Sequence, residues 1–204
     1  MMYCIGLTGT IASGKSAAIA YFKTLGIDTL SADDIAKQLT CKNSPAFTEI
    51  CQHFGSNILT ADGDINRRQL RNHIMNHPID RLWLENLLHP LIRQRIELSI
   101  TQCHGPYCVI EIPLLNNRKT FPYLNRVLLI TSEPQQQIAR LMARDNCLEA
   151  EAKALLEHQK SNNNREALAD DILLNSGSID AFHNALNALH HRYLDQASIL
   201  NLGT

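Results

Sequence analysis

Apolar residues gather first in Met2 to Leu7, a short run that ends in a glycine-rich turn. From Lys15 to Leu25 the pattern changes, and Ile19, Phe22 and Leu25 recur at helical spacing. A strand, a loop and a helix are therefore predicted. Gly26 stops the helix and Ile27 to Leu30 forms a second short strand, which completes a β-loop-α-β unit and implies parallel pairing.

Two later apolar runs, Tyr107 to Ile112 and Arg126 to Ile130, read as buried strands, and Asp171 to Leu174 as a weaker one. Helical patterns lie between them. Asn66-Arg67-Arg68-Gln69 resembles a capping box for a helix reaching about Asn76, and Pro90 fits the first turn of a helix to about Thr101. After the fourth strand, Ser132 and Pro134 suit the start of a helix carrying Gln137, Arg140, Leu141 and Arg144. A further helix runs from about Glu149 to Lys160, Ser161 to Asn164 reads as a polar hinge, and Ser178 to Leu194 as an amphipathic helix. The expected fold is α/β: a three-layer, mostly parallel five-stranded sheet in one domain over 1–204, with a helical insertion at about 60–104 and a helical lid at about 134–165.

Composition narrows the field by exclusion. Nineteen basic and twenty acidic side chains leave a net charge of −1, so no global field gathers nucleic acid or anionic lipid. No charge-free apolar run is long enough to span a membrane, and a cytoplasmic protein, monomeric or weakly self-associating, is expected. The six cysteines form no CxxC pair, which favours reduced thiols over zinc or disulfides. His73 and His77 have i,i+4 spacing that could suit a metal, but no matching carboxylate arrangement accompanies them.

The specific chemistry lies in Gly9-Thr10-Ile11-Ala12-Ser13-Gly14-Lys15-Ser16, a complete G-x-x-x-x-G-K-[ST] between a predicted strand and a predicted helix. Such a loop turns backbone N–H groups from Ile11 to Ala17 toward phosphate oxygens, with Lys15 bridging the β- and γ-phosphates of ATP and Ser16 ligating Mg²⁺. Ligands of open parallel sheets collect at the carboxyl ends of the strands, which selects Asp33, Glu111, Ser132 and Asn175. Asp33 is the candidate to accept a proton from an alcohol, with Asp34 as its competitor. Arg140 and Arg144 share a helix face that could close over the γ-phosphate, or else form a solvated face pairing with Asp145 or Glu149. Arg67, Arg71 and Arg93 are candidates for acceptor phosphates, each with an ordinary surface role as the alternative.

Over nearly its whole length the chain also resembles the dephospho-coenzyme A kinase family. The resemblance rests on Gly6-Leu7-Thr8-Gly9 running into Gly14-Lys15-Ser16, on Ala32-Asp33, on His89-Pro90 with Ile92-Arg93, and on Ile112-Pro113-Leu114-Leu115. It continues with Gln137, Arg140-Leu141, Arg144-Asp145, Ala169-Asp170 and Asn175. It implies phosphorylation of the ribose 3′-hydroxyl of dephospho-coenzyme A by Mg-ATP, and an acceptor side that includes Thr8, Asp33, Lys37, Arg67, His89, Arg93 and Leu114. The family pattern is departed from at Ser31, Lys37, Asn66, Glu111, Asn116, Asn117 and Arg165. A P-loop kinase of another small acceptor is the nearest rival. A GTP-dependent switch is disfavoured because the chain has no N-K-x-D stretch.

Overall fold

The computed structural model describes residues 2–113, 115–160 and 165–202. Five strands are present: β1 (Tyr3–Gly9), β2 (Asp28–Ser31), β3 (Tyr107–Glu111), β4 (Arg126–Thr131) and β5 (Asp171–Leu174). They form one sheet in the order β2-β3-β1-β4-β5, and every ladder is parallel. β1 is buried along its whole length, as a central parallel strand covered on both faces must be.

Helix α1 (Lys15–Thr24) follows β1 and ends in paired bonds, Gly26 N–H to the Lys23 carbonyl (3.0 Å) and Ile27 N–H to that of Phe22 (3.1 Å). Gly26 can close this turn because its φ of 75° suits a residue without Cβ. Ala18 and Phe22 of α1 meet Phe182, Leu186, Tyr193 and Ala197 of α9 (Ile179–Leu202) over Ile5, Leu7, Val109, Leu128 and Ile130 of the sheet. Burying each large apolar side chain there stabilises the fold by about 1.5–3 kcal/mol. The helices α6 (Pro134–Asp145), α7 (Glu149–Lys160) and the short α8 (Arg165–Leu168) lie between β4 and β5 in the chain. The architecture is the three-layer α/β arrangement expected.

Contacts divide the chain into two compact units, Met1–Ser31 with Ile100–Thr204, and Ala32–Ser99. The second unit contains α2 (Ala32–Leu39), α3 (Pro45–Phe54), α4 (Arg67–Asn76) and most of α5 (Pro78–Ile100). Its core is Ile50, Ile58, Ile65, Leu70 and Leu84, flanked by Phe47, Phe54, Ile74 and Trp83. It begins earlier in the chain than the insertion of about 60–104 read from the sequence. Asn66 caps α4 as its spacing suggested, its side-chain oxygen accepting from Gln69 N–H at 3.1 Å.

One helix boundary differs from the sequence reading. Pro90 does not open a helix but lies inside α5, whose first residue is Pro78. An interior proline removes the bond to the carbonyl four residues back; burial of Leu84 on one side and Ile96 on the other holds the helix through it. α6 begins at Pro134 as read, but the residue preceding it, Glu133, makes no side-chain cap, and Ser132 is bound elsewhere. The hinge proposed at 161–164 and Leu114 lie outside the described residues.

Candidate active site

The loop between β1 and α1 is shaped by close approach. At Gly9 a Cβ would collide with the Ile130 carbonyl of the neighbouring strand β4. At Gly14, which has φ 109° and precedes α1, it would collide with the Asn175 side chain. Ala12 also has positive φ, 55°, an uncommon conformation for a residue with a side chain. Gly9 is thus required by space, and Gly14 by space as well as by backbone conformation.

Side chains from three other segments hold this loop. Asn175, just past β5, is 8% exposed and donates its amide to the Ser13 carbonyl at 2.9 Å. Gln137 of α6 donates to the Thr10 hydroxyl and, at 3.0 Å, to the Ile11 carbonyl. Arg140, one turn on, reaches the Ala12 carbonyl (3.2 Å), the Ser132 hydroxyl (3.0 Å) and the Asn175 carbonyl (3.3 Å). Leu141, Ala152 and Leu156 add an apolar contact with Ile11 and Ala12, so α6 and α7 pack on the loop itself.

Lys15 stands at the start of α1 with its ammonium over the loop, 3.1 Å from the Gly9 carbonyl and 2.9 Å from that of Thr10. Ser16 follows on the exposed first turn, and Ser13 Oγ is buried without a partner among the described residues. A cavity of about 280 Å³ opens beside Thr10, lined by Leu129, Thr131, Arg165 and Glu166. Arg165 is buried, and that burial depresses its pKa. Thr8 is fully buried in β1, its hydroxyl donating to the Pro113 carbonyl at 3.5 Å.

The structure separates the two arginines of α6. Arg140 faces the loop, whereas Arg144 makes a bidentate pair with the adjacent Asp145, at 2.7 and 2.8 Å. That pair raises the Arg144 pKa and lowers that of Asp145. The local ion pair was one of the two readings open for Arg144. Gln137 reaches the loop as well, its helical spacing with Arg140 and Arg144 being the available signal, while Ser132, read from the sequence as a strand-end residue and a helix start, binds Arg140 and the Asn175 carbonyl.

In the helical unit, Asp33 and Asp34 both lie in the first turn of α2 and are exposed. Asp34 is bound to Lys37 at 2.7 Å, whereas Asp33 has no hydrogen bond or ion pair among the described residues. Arg67 donates to the Lys37 carbonyl (3.1 Å) and the Thr40 hydroxyl (3.0 Å), tying α4 to α2. Arg67 and Arg71 also line a mainly apolar pocket of about 160 Å³ with Ala36, Ile50, Leu70 and Leu88. On α5, His89 is exposed and Arg93 half-buried. His73 and His77, read from the sequence as lacking a carboxylate, do have one beside them in Asp80. The carboxylate was missed because it sits across the break between α4 and α5.

Comparisons with known proteins agree with one another. The family model described as CoaE, dephospho-CoA kinase, matches residues 3–181. The dephospho-CoA kinase of Legionella pneumophila strain Paris is 44% identical over 199 residues, covering 98% of this chain and 99% of that relative. Among solved structures, the dephospho-CoA kinase from Campylobacter jejuni has a TM-score of 0.70 at 28% identity, covering 96% of this chain and 99% of that one. The Thermus thermophilus protein TT1252 reaches 0.80 at 26% identity, covering 94% and 97%.

Proposed function

The chain belongs to the dephospho-CoA kinase family, and on that premise we propose that it transfers the γ-phosphoryl group of ATP to the ribose 3′-hydroxyl of dephospho-coenzyme A. The observation that carries the reading is the glycine-rich loop at the β1–α1 junction, with Lys15, Arg140 and Asn175 gathered on its backbone. Loop N–H groups and the start of α1 suit a chain of phosphates. Lys15 and Arg140 are cations that donate to loop carbonyl oxygens, and phosphate oxygens are stronger acceptors for the same donors. In the transfer these two groups offset the charge that develops on the moving phosphoryl group.

Asp33 accepts the proton of the attacking hydroxyl in this scheme. Its exposure and its lack of a partner favour it over Asp34, whose carboxylate is engaged by Lys37. The Ser16 hydroxyl, exposed beside Lys15, is an oxygen donor of the kind Mg²⁺ takes. When bound with the nucleotide, that ion would supply positive charge that offsets the charge of the phosphates. Asn175 and Gln137 fix the loop by engaging the Ser13 and Ile11 carbonyls. On the acceptor side the reading includes Thr8, Lys37, Arg67, His89, Arg93 and Leu114.

A coupled assay with Mg-ATP tests the reading. Dephospho-coenzyme A should be converted to coenzyme A, with fragmentation mass spectrometry locating the new phosphate on the 3′-oxygen, and nucleosides or nucleoside monophosphates should be far poorer acceptors. Turnover of a nucleoside or monophosphate with none of dephospho-coenzyme A would overturn it.

A further inference from the structure

Within the helical unit three histidines surround one carboxylate. Asp80, in the first turn of α5, has Oδ1 3.1 Å from His53 Nε2 and Oδ2 2.6 Å from His73 Nε2. His77, just past the end of α4, stacks its ring on that of His73, with centroids 4.0 Å apart and planes 7° apart. One ligand atom each from His73, His77 and Asp80 lies within 4.8 Å of the others. His73 and Asp80 keep about a third of their side-chain surface open, so an ion has a path in.

Two of the three groups are held in place by their other contacts, whereas the His73 ring, stacked parallel to His77 with its lone pair running alongside, must turn about Cβ–Cγ for both rings to meet one ion. His77 Nδ1 lies 2.8 Å from the His73 carbonyl oxygen, and a carbonyl only accepts; Nδ1 therefore carries the proton and Nε2 presents a lone pair. His53 lies flat on Trp83, with ring centroids 3.8 Å apart, and from there binds Asp80 Oδ1. That leaves Oδ2 turned to the other two histidines. Phe54 meets the His73 ring edge-on at 5.5 Å. Metal-binding histidines characteristically donate their second ring nitrogen to a carbonyl or carboxylate, and ligating carboxylates are themselves hydrogen-bonded.

We propose that His73, His77 and Asp80 form a binding site for a divalent transition metal of the zinc or nickel class, with His53 as a positioning residue for Asp80. Two imidazoles and one carboxylate suit Zn²⁺, Ni²⁺ or Co²⁺, whereas Mg²⁺ and Ca²⁺ take oxygen donors. Three protein ligands leave room for water, so the bound ion exchanges. The metal also displaces the His73–Asp80 hydrogen bond, which competes for the same atoms and lowers the affinity. None of these residues belongs to the phosphate loop, and the proposal is independent of the kinase reading.

The test is calorimetric titration of the full-length protein with ZnCl₂ and with NiCl₂, without nucleotide, on wild type, His77→Ala, Asp80→Asn and His53→Ala. Wild type should bind one ion per chain. His77→Ala, at an exposed residue, should weaken binding by more than tenfold with an unchanged circular dichroism spectrum, and Asp80→Asn similarly. His53→Ala should keep the stoichiometry and lose roughly 10–100-fold in affinity, the usual effect of removing a ligand's supporting partner. A thiol site elsewhere would bind equally well in every variant. Unchanged affinity in His77→Ala, or binding to wild type only at millimolar metal, overturns the proposal even if Asp80→Asn does not fold.

Discussion

Around the phosphate loop, Lys15, Gln137, Arg140 and Asn175 each bind backbone carbonyls between Gly9 and Ser13, and Asn175 is buried while doing so. In the helical unit, Asp33 and His89 stand exposed on helix surfaces, and Lys37 is occupied by the neighbouring Asp34. One set of polar groups is fixed by the strand-built unit, and the other is left to side chains facing water. Groups that stabilise developing charge gain most from being fixed, because preorganised dipoles need no rearrangement during the reaction. A proton acceptor has a different requirement: it must be unoccupied and able to meet the hydroxyl.

The largest expected effect breaks the comparison at its freest residue. A positioned general base contributes roughly 10² to 10⁴ in rate, so Asp33→Asn should lower kcat by that much. ATP binding, followed by a fluorescent analogue, should persist because the loop is untouched. Asp34→Asn loses an exposed i,i+3 pair with Lys37 and should stay near wild type in kcat. Measured side by side at saturating dephospho-coenzyme A, a collapse for Asp34→Asn alone would reverse the assignment.

The next effect sharpens the contrast within the strand-built unit. Lys15→Ala and Arg140→Ala should each reduce kcat/KM by on the order of 10², the scale of one lost oriented electrostatic contact. Arg144→Ala should change it by less than about tenfold, since that guanidinium is engaged by Asp145 and not by the loop. Steady-state kinetics of the three variants checks this. Equal losses for Arg140→Ala and Arg144→Ala would mean that the lid presents both arginines to the nucleotide.

What could be read from the sequence follows the same division. The three most apolar strands show as continuous runs because parallel strands covered on both faces bury every side chain, and the loop shows as a contiguous motif. The contacts of Asn175 with Ser13 and of Gln137 with Thr10 join residues more than a hundred positions apart, which no local periodicity reports. α3 escaped the reading although its signals were present: Ser44 caps it, accepting from Phe47 N–H at 3.1 Å, and Pro45 is its first residue. Pro90 misled because packing on both sides of it overrides local preference. His89 has no pattern of its own and was named only through the family resemblance, while Arg93 was one arginine among several with an ordinary surface role as the alternative.

The smallest expected effect concerns how the strand-built unit holds β5. Asp171, on that strand, is almost fully buried and accepts from Arg126 (2.9 Å), Arg192 (2.8 Å) and the Tyr193 hydroxyl (3.0 Å). Burial opposes its charge, but the bonds from Arg126 and Tyr193 and the two guanidinium charges outweigh it, so its pKa is lowered. The carboxylate is therefore more stable folded than unfolded. Its contribution is complete above the ordinary aspartate range near pH 4 and is lost as pH falls through the depressed folded value. Asp171→Asn keeps the shape and removes the charge, and should cost about 2 kcal/mol at neutral pH, within the range for hydrogen bonds to a charged group. Arg126 and Arg192 both keep some exposure, so neither is left as a fully buried cation, which limits the loss. Urea unfolding of both proteins from pH 7 to pH 3 should show the gap narrowing as the wild-type carboxylate is protonated. A gap that stayed constant to pH 3 would mean that Asp171 holds β5 by packing, and that its ion pairs contribute nothing to the stability of this unit.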